Sequence, residues 1–144
     1  MGSSARVTEL PGWAARLLAG SRVARLGLLD DDGAPRVLPV TFAICGESLV
    51  TAVDQKPKRR RADDLARVRW LRARPAAALT VDHYDDDWSE LAWVQAIGTV
   101  EVVGVADATD AIEALTERYE PYRHDPPAGP VLVLEPHRLL WWRA

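Results

Sequence analysis

Residues 21–54, SRVARLGLLDDDGAPRVLPVTFAICGESLVTAVD, contain three apolar segments separated by two turn signals. The first signal is DDDG at residues 30–33, and the second is CGE at residues 45–47. Short apolar segments bounded by Asp and Gly are typical of antiparallel strands joined by tight turns. The stretch therefore predicts three successive strands, of which the first two form a hairpin.

The second of these segments alternates, which lets its two faces be assigned. One face carries Leu38, Val40, Phe42 and Ile44, and the other carries Val37, Pro39, Thr41 and Ala43. Successive side chains of a strand point to opposite faces, so the first set is expected to pack into a core. A proline cannot donate a hydrogen bond to a neighbouring strand, so Pro39 places this strand at a sheet edge or at a bulge.

The residues before and after this stretch are predicted to form helices and further strands. Thr8 is predicted to cap the first helix and Gly20 to end it, while Asp107 is predicted to cap the last. The predicted helices lie within residues 1–20, 56–74 and 107–119, and the further strands within 76–84, 91–104 and 130–144. This order predicts one mainly β (α+β) domain over residues 1–144. It is a small β-barrel of six or seven mostly antiparallel strands with two or three helices, rather than a parallel α/β sheet.

Composition narrows the class of protein. The 144 residues carry a net charge of −3 and a single cysteine, Cys45, so no intrachain disulfide is expected. No apolar run approaches the roughly 20 residues that span a bilayer, and we expect a cytoplasmic protein without a membrane partner. The glycines form no nucleotide-binding loop, and the acidic DHYDDDW segment lacks the spacing of a calcium loop. No catalytic residue can be named.

Five tryptophans are assigned by default to core or dimer packing: Trp13, Trp70, Trp93, Trp141 and Trp142.

Positive charge is concentrated in one segment. Nine of the eighteen Lys and Arg residues lie between Lys56 and Arg74. One interpretation is a solvated helix face. The other is an anion site at the start of the helix, where Lys56, Lys58, Arg59 and Arg60 surround a phosphate or carboxylate with the hydroxyl of Thr51. Nucleic acid is not the expected anion, because the sequence pI is near 5.6.

Three stretches together resemble a known family: LLDDDGAPRVLPVTFAI, LVTAVDQKPKRRR and RARPAAALTVDHYDDDWSELAWVQAIGTVEVV. The chain resembles the pyridoxamine-phosphate-oxidase-like split β-barrels, and most closely their actinobacterial branch of probable F420-dependent enzymes. The resemblance implies a homodimer that binds a flavin or deazaflavin in a groove between its subunits.

The resemblance also implies particular site residues. Pro39, Val40 and Thr41 match the strand that lies along the cofactor ring, with Val40 contributing through its backbone. Thr51, Lys56, Lys58 and Arg60 match phosphate-binding positions. Trp88 matches an aromatic residue that approaches the cofactor, and its alternative role is to anchor its loop.

The cofactor implied is coenzyme F420, with FMN as the alternative. Many relatives carry an Asn-Leu pair after the phosphate-binding lysine, whereas this chain reads RADDL at residues 61–65. The long basic cluster suits the polyanionic tail of F420 better than the single phosphate of FMN. The implied activity is hydride transfer to an electron-poor small molecule, for which His83 and Tyr84 are candidate proton donors by position only. A non-catalytic F420 carrier and, least favoured, a nucleic-acid-binding module are the other hypotheses.

Overall fold

The computed structural model describes the backbone of residues 1–53 and 61–144, and the side chains of residues 1–53 and 66–144. Within this part of the chain the strands are β1 (Gly2–Ser4), β2 (Ala24–Leu29), β3 (Pro35–Val40), β4 (Ala43–Cys45), β5 (Ser48–Ala52), β6 (Ala76–His83), β7 (Ala92–Val103) and β8 (Val131–Arg143). The α-helices are α1 (Gly12–Gly20), α2 (Arg61–Ala73), α3 (Thr109–Arg118) and α4 (Glu120–His124).

The strands form one antiparallel sheet in the order β3-β2-β6-β7-β8-β5-β4, with β1 paired to β8. The sheet curls into a mainly β split barrel, which confirms the predicted fold class. The long strands β7 and β8 form its centre, and β3 lies at an edge, as Pro39 predicted. The strand β1 was not predicted, because three residues carry too little pattern to be recognised.

The β2–β3 hairpin has the predicted turn. Leu29 pairs with Pro35, and a carboxylate oxygen of Asp30 accepts hydrogen bonds from the backbone N–H groups of Asp32 and Ala34. Gly33 adopts a φ of 75°, a conformation that glycine reaches without the steric cost of a side chain. The aspartates and the glycine of DDDG therefore specify the turn locally.

The prediction of one continuous strand from Val37 to Ile44 is wrong. The chain leaves the β2 side after Val40 and restarts at Ala43 as β4, which pairs with β5. Between them, the Tyr119 hydroxyl lies 3.1 Å from the Phe42 N–H and 3.0 Å from the Phe42 carbonyl oxygen. The hydroxyl accepts from the Phe42 N–H, and its single proton is shared between the carbonyl oxygens of Phe42 and Arg22. The strand can therefore break at Phe42 without leaving its buried N–H unsatisfied.

The core has two parts, one on each side of the curled sheet. Inside the barrel, α1 packs against β6 and β7, and α2 packs against β2 and β7. A second apolar cluster lies where α3 covers β4 and β5. Val40 and Phe42 point into the barrel as predicted, whereas Ala43 belongs to the second cluster. Trp13, Trp70 and Trp141 pack against the barrel core, as their default assignment expected.

Two predicted helix caps are wrong. Thr8 does not cap α1, which begins at Gly12 with Pro11 at its N-cap. The Thr8 side chain instead hydrogen bonds to Glu47, and this bond is the main reason that the pKa of Glu47 is lowered. Asp107 lies in a short 3₁₀ turn, and Ala108 precedes α3 without a side-chain cap. Of the predicted helix 56–74, residues 56–60 lie outside the described residues, and the described part ends at Ala73, before Pro75.

Candidate functional site

The edge strand β3 presents the first group of predicted site residues. Val40 points into the barrel and is buried, while Pro39 is exposed on the opposite face. Val37, two residues earlier on that face, is 68% exposed. An edge strand leaves a row of backbone N–H and C=O groups unpaired on one side. Strand β3 therefore combines an apolar surface with available backbone hydrogen-bonding groups.

Strand β3 continues into a wider face of the sheet, which we call the outer face. It consists of two rows of directly paired residues, Pro39-Arg25-Thr80-Gln95-Leu140 and Val37-Gly27-Ala78-Ile97-Arg138. The Gln95 amide donates a hydrogen bond to the Thr80 hydroxyl at 3.0 Å, and Arg25 lies 3.6 Å from Asp82. The middle of the first row is therefore polar, with Gln95 and Thr80 hydrogen bonded to each other, whereas the second row is apolar from Val37 to Ile97.

Thr41 lies at the end of β3 and is already hydrogen bonded. Its Oγ1 lies 2.7 Å from the Tyr122 hydroxyl oxygen, and Tyr122 comes from α4. Tyr119 and Tyr122 contact edge to face, and the Arg22 guanidinium lies 4.6 Å from the centroid of the Tyr119 ring. Local sequence pattern could not predict this cluster, because Thr41 and Tyr122 are 81 positions apart.

The remaining predicted residues divide into two sets. Thr51 is described: it lies on β5 opposite Leu132, and it is only 5% exposed. The basic residues Lys56, Lys58, Arg59 and Arg60 lie outside the described residues. The anion site therefore remains a prediction from sequence, with Thr51 the one member whose position is described.

The C-terminal half of the basic segment has a structural role. Arg69 on α2 forms two hydrogen bonds with the Asp31 carboxylate, the shorter at 2.8 Å. Arg74 donates to the carbonyl oxygens of Asp30 and Asp31, both at 3.1 Å. The hydrogen bond from Arg69 lowers the pKa of Asp31. The β2–β3 turn thus binds two arginines from the C-terminal half of the basic segment. Neither the solvated-face interpretation nor the anion-site interpretation predicted these contacts.

Trp88 occupies a tightly hydrogen-bonded loop but is itself 70% exposed. Asp87 accepts hydrogen bonds from the backbone N–H and the hydroxyl of Ser89, and these bonds lower the pKa of Asp87. Asp85 accepts from the Asp87 N–H at 2.8 Å. The carboxylates hold the loop, so burial of the indole is not what fixes it. Trp88 remains available for contact with a ligand or a second subunit.

The fold and the exposed edge strand together define a split-barrel protein with one open sheet face. A family profile described as pyridoxamine 5'-phosphate oxidase matches residues 13–138, and the chain belongs to this family. Among functionally curated proteins, none matches the sequence. Within the described residues, no helix is long and apolar enough to span a membrane.

Three solved structures illustrate the range of similar proteins. An F420 reductase has a TM-score of 0.67 at 24% identity, covering 91% of this chain and 98% of its own. An FAD-binding protein from Mesorhizobium loti has a TM-score of 0.66 at 18% identity, covering 92% and 94%. A heme binding protein from Mycobacterium smegmatis has a TM-score of 0.71 at 22% identity, covering 90% of this chain and 52% of its own. This chain thus spans about half of that protein, and at these identities the likeness shows the fold alone.

Proposed function

We propose that the protein is an oxidoreductase that binds a flavin-type cofactor at a dimer interface and uses F420 in preference to FMN. The observation that carries the proposal is the exposed edge strand β3 in a chain that belongs to the pyridoxamine 5'-phosphate oxidase family. The fold similarity to an F420 reductase and to an FAD-binding protein supports a flavin-type cofactor, and the choice of deazaflavin rests on the basic cluster in the sequence.

The described residues fit a flat ring with polar edges. Pro39 and Val37 offer an apolar surface against which a ring can lie, and the free side of an edge strand offers hydrogen-bonding groups to its carbonyls and nitrogens. Thr41 would present a hydroxyl whose position Tyr122 fixes. When bound, a reduced deazaflavin or flavin supplies a hydride to an electron-poor acceptor. The chain's own residues orient the ring and exclude water.

The second subunit completes the site in this proposal. The apolar row of the outer face, from Val37 to Ile97, is the surface that a second copy would cover, and Trp88 is exposed enough to reach across. The tail of the cofactor is assigned to the cluster Lys56, Lys58, Arg59 and Arg60 from sequence alone. A longer polyanionic tail can pair with more of these four cations than a single phosphate can.

The proposal is tested by titrating the protein with F420 and with FMN while following tryptophan fluorescence. We expect F420 to bind more tightly, and Lys58→Ala to weaken F420 about tenfold, as loss of a charge-assisted contact predicts. Arg6→Ala, which removes an exposed cation outside the cluster, is the matched control and should leave affinity unchanged.

The outcomes separate the alternatives. If FMN binds more tightly than F420, FMN becomes the proposed cofactor. If neither cofactor binds, the proposal is overturned. Oxidation of bound reduced F420 by a quinone or an activated alkene is then followed in the absorbance of the cofactor. Tight binding without oxidation by either class of acceptor would favour a carrier over an enzyme.

A further inference from the structure

A concave site lies between α1 and the neighbouring ends of three strands, and we call it the rim groove. It encloses about 580 Å³, which falls within the roughly 300–1,000 Å³ of small-molecule sites. Helix α1 forms one wall, and the end of β6, the start of β7 and the end of β8 form the other. The described lining side chains include Trp13, Arg16, Leu17, His83, Glu90 and Arg143.

Two guanidinium groups of the rim groove form no ion pair with the described residues. Three arginines elsewhere pair with aspartates: Arg25 with Asp82, Arg36 with Asp30 and Arg69 with Asp31. Among the described residues, neither Arg16 nor Arg143 forms an ion pair, although Glu90 and Ala144 line the same groove. Both guanidinium groups are therefore available to pair with an anionic ligand.

Trp13 gives the groove an aromatic wall. The Arg143 guanidinium lies 5.2 Å from the centroid of the Trp13 ring, so the cation is held against the indole. A guanidinium in this position can form two parallel hydrogen bonds to a carboxylate or sulfonate. Leu17 and Leu91 extend the apolar surface beside it.

We propose that the rim groove binds small aromatic anions, with Arg16 and Arg143 holding the carboxylate or sulfonate, Trp13 holding Arg143 in place, and Leu17 and Leu91 packing against the ring. None of the residues assigned to the cofactor lines this groove, so the proposal does not depend on the proposed function. It adds a ligand site on the barrel interior side, whereas the cofactor is assigned to the outer face.

The test uses two fluorescent probes of similar shape, the anion 8-anilinonaphthalene-1-sulfonate and the neutral N-phenyl-1-naphthylamine. We expect saturable binding of the anionic probe, weakened about tenfold by Arg16→Gln and by Arg143→Gln, as loss of a charge-assisted hydrogen bond predicts. Binding of the neutral probe should change little in either variant.

Arg138→Gln is the matched control, because Arg138 lies on the same strand as Arg143 but on the outer face. Both groove arginines are exposed, so the variants should keep the wild-type circular dichroism and thermal transition. The proposal is overturned if the anionic probe does not saturate. It is also overturned if both groove variants bind the probe as wild type does, or if Arg138→Gln weakens it equally.

Discussion

At the scale of single residues, Tyr119 has the clearest structural role. Its hydroxyl lies within hydrogen-bond distance of the Phe42 N–H, the Phe42 carbonyl and the Arg22 carbonyl. Phe42 is completely buried, so its N–H has no access to water if the tyrosine hydroxyl is removed. One side chain therefore allows β3 to end and β4 to begin at a buried position.

We predict that Tyr119→Phe destabilises the protein by about 1–3 kcal/mol, the usual cost of leaving a buried backbone group unsatisfied. The free energy of unfolding is measured by urea denaturation. The control is Tyr84→Phe, which removes a hydroxyl hydrogen bonded to Asp86 at an exposed site and should change stability by less than about 0.5 kcal/mol. Equal effects of the two substitutions would contradict the role of Tyr119.

At the scale of elements, the pairing of Asp31 with Arg69 joins the β2–β3 turn to α2. Both side chains are exposed, so solvent and salt screen the pair. The pKa of Asp31 is lowered from 3.8 in the folded protein, chiefly by the hydrogen bond from Arg69. A lowered pKa means that the pair favours folding when Asp31 is ionised, above pH 3.8. That contribution is lost as the pH falls through the lower folded-state value.

We therefore predict that Asp31→Asn lowers the urea midpoint at about pH 7, and that its difference from wild type shrinks progressively as the pH falls below 3.8. Added salt should shrink the difference at neutral pH as well. Asp125→Asn, at an exposed carboxylate, serves as the control. A difference that persists unchanged at low pH would show that Asp31 acts through something other than its charge.

At the scale of the whole molecule, the outer face is a surface of the sheet that a single chain leaves uncovered. One of its two rows is apolar from Val37 to Ile97, and in the neighbouring row Gln95 and Thr80 are hydrogen bonded to each other. An apolar strip bordered by polar groups is typical of interfaces between subunits. The proposed cofactor strand borders this face, so dimer formation and cofactor binding are coupled in the proposed function.

We predict that the wild-type protein sediments as a dimer and that Val37→Asp shifts it towards monomer, because the new carboxylate would be buried without a partner. Val37 is exposed in the single chain, so the substitution should leave its fold intact, as circular dichroism can check. Ala106→Asp, at an exposed position outside the outer face, is the control. A monomeric wild type, or a dimer unaffected by Val37→Asp, would place the interface elsewhere.

Local pattern in the sequence determined most of the elements. The DDDG turn, the strands after Pro75 and after Leu91, and the end of α2 before Pro75 follow from turn chemistry, alternation and the missing proline N–H. Pro39 likewise limited β3 to a sheet edge or a bulge, and β3 lies at an edge. These features depend on residues close together in the chain, and so the sequence alone was enough to predict them.

Only the tertiary structure decided how distant residues meet. Tyr119 breaks the strand at Phe42 from 77 positions away, Tyr122 fixes Thr41 from 81, and Arg69 binds Asp31 from 38. Thr8 bonds to Glu47 instead of capping its own helix. A local pattern cannot reveal these partners, because a side chain with several possible hydrogen bonds takes the one that the packed strands and helices bring within reach.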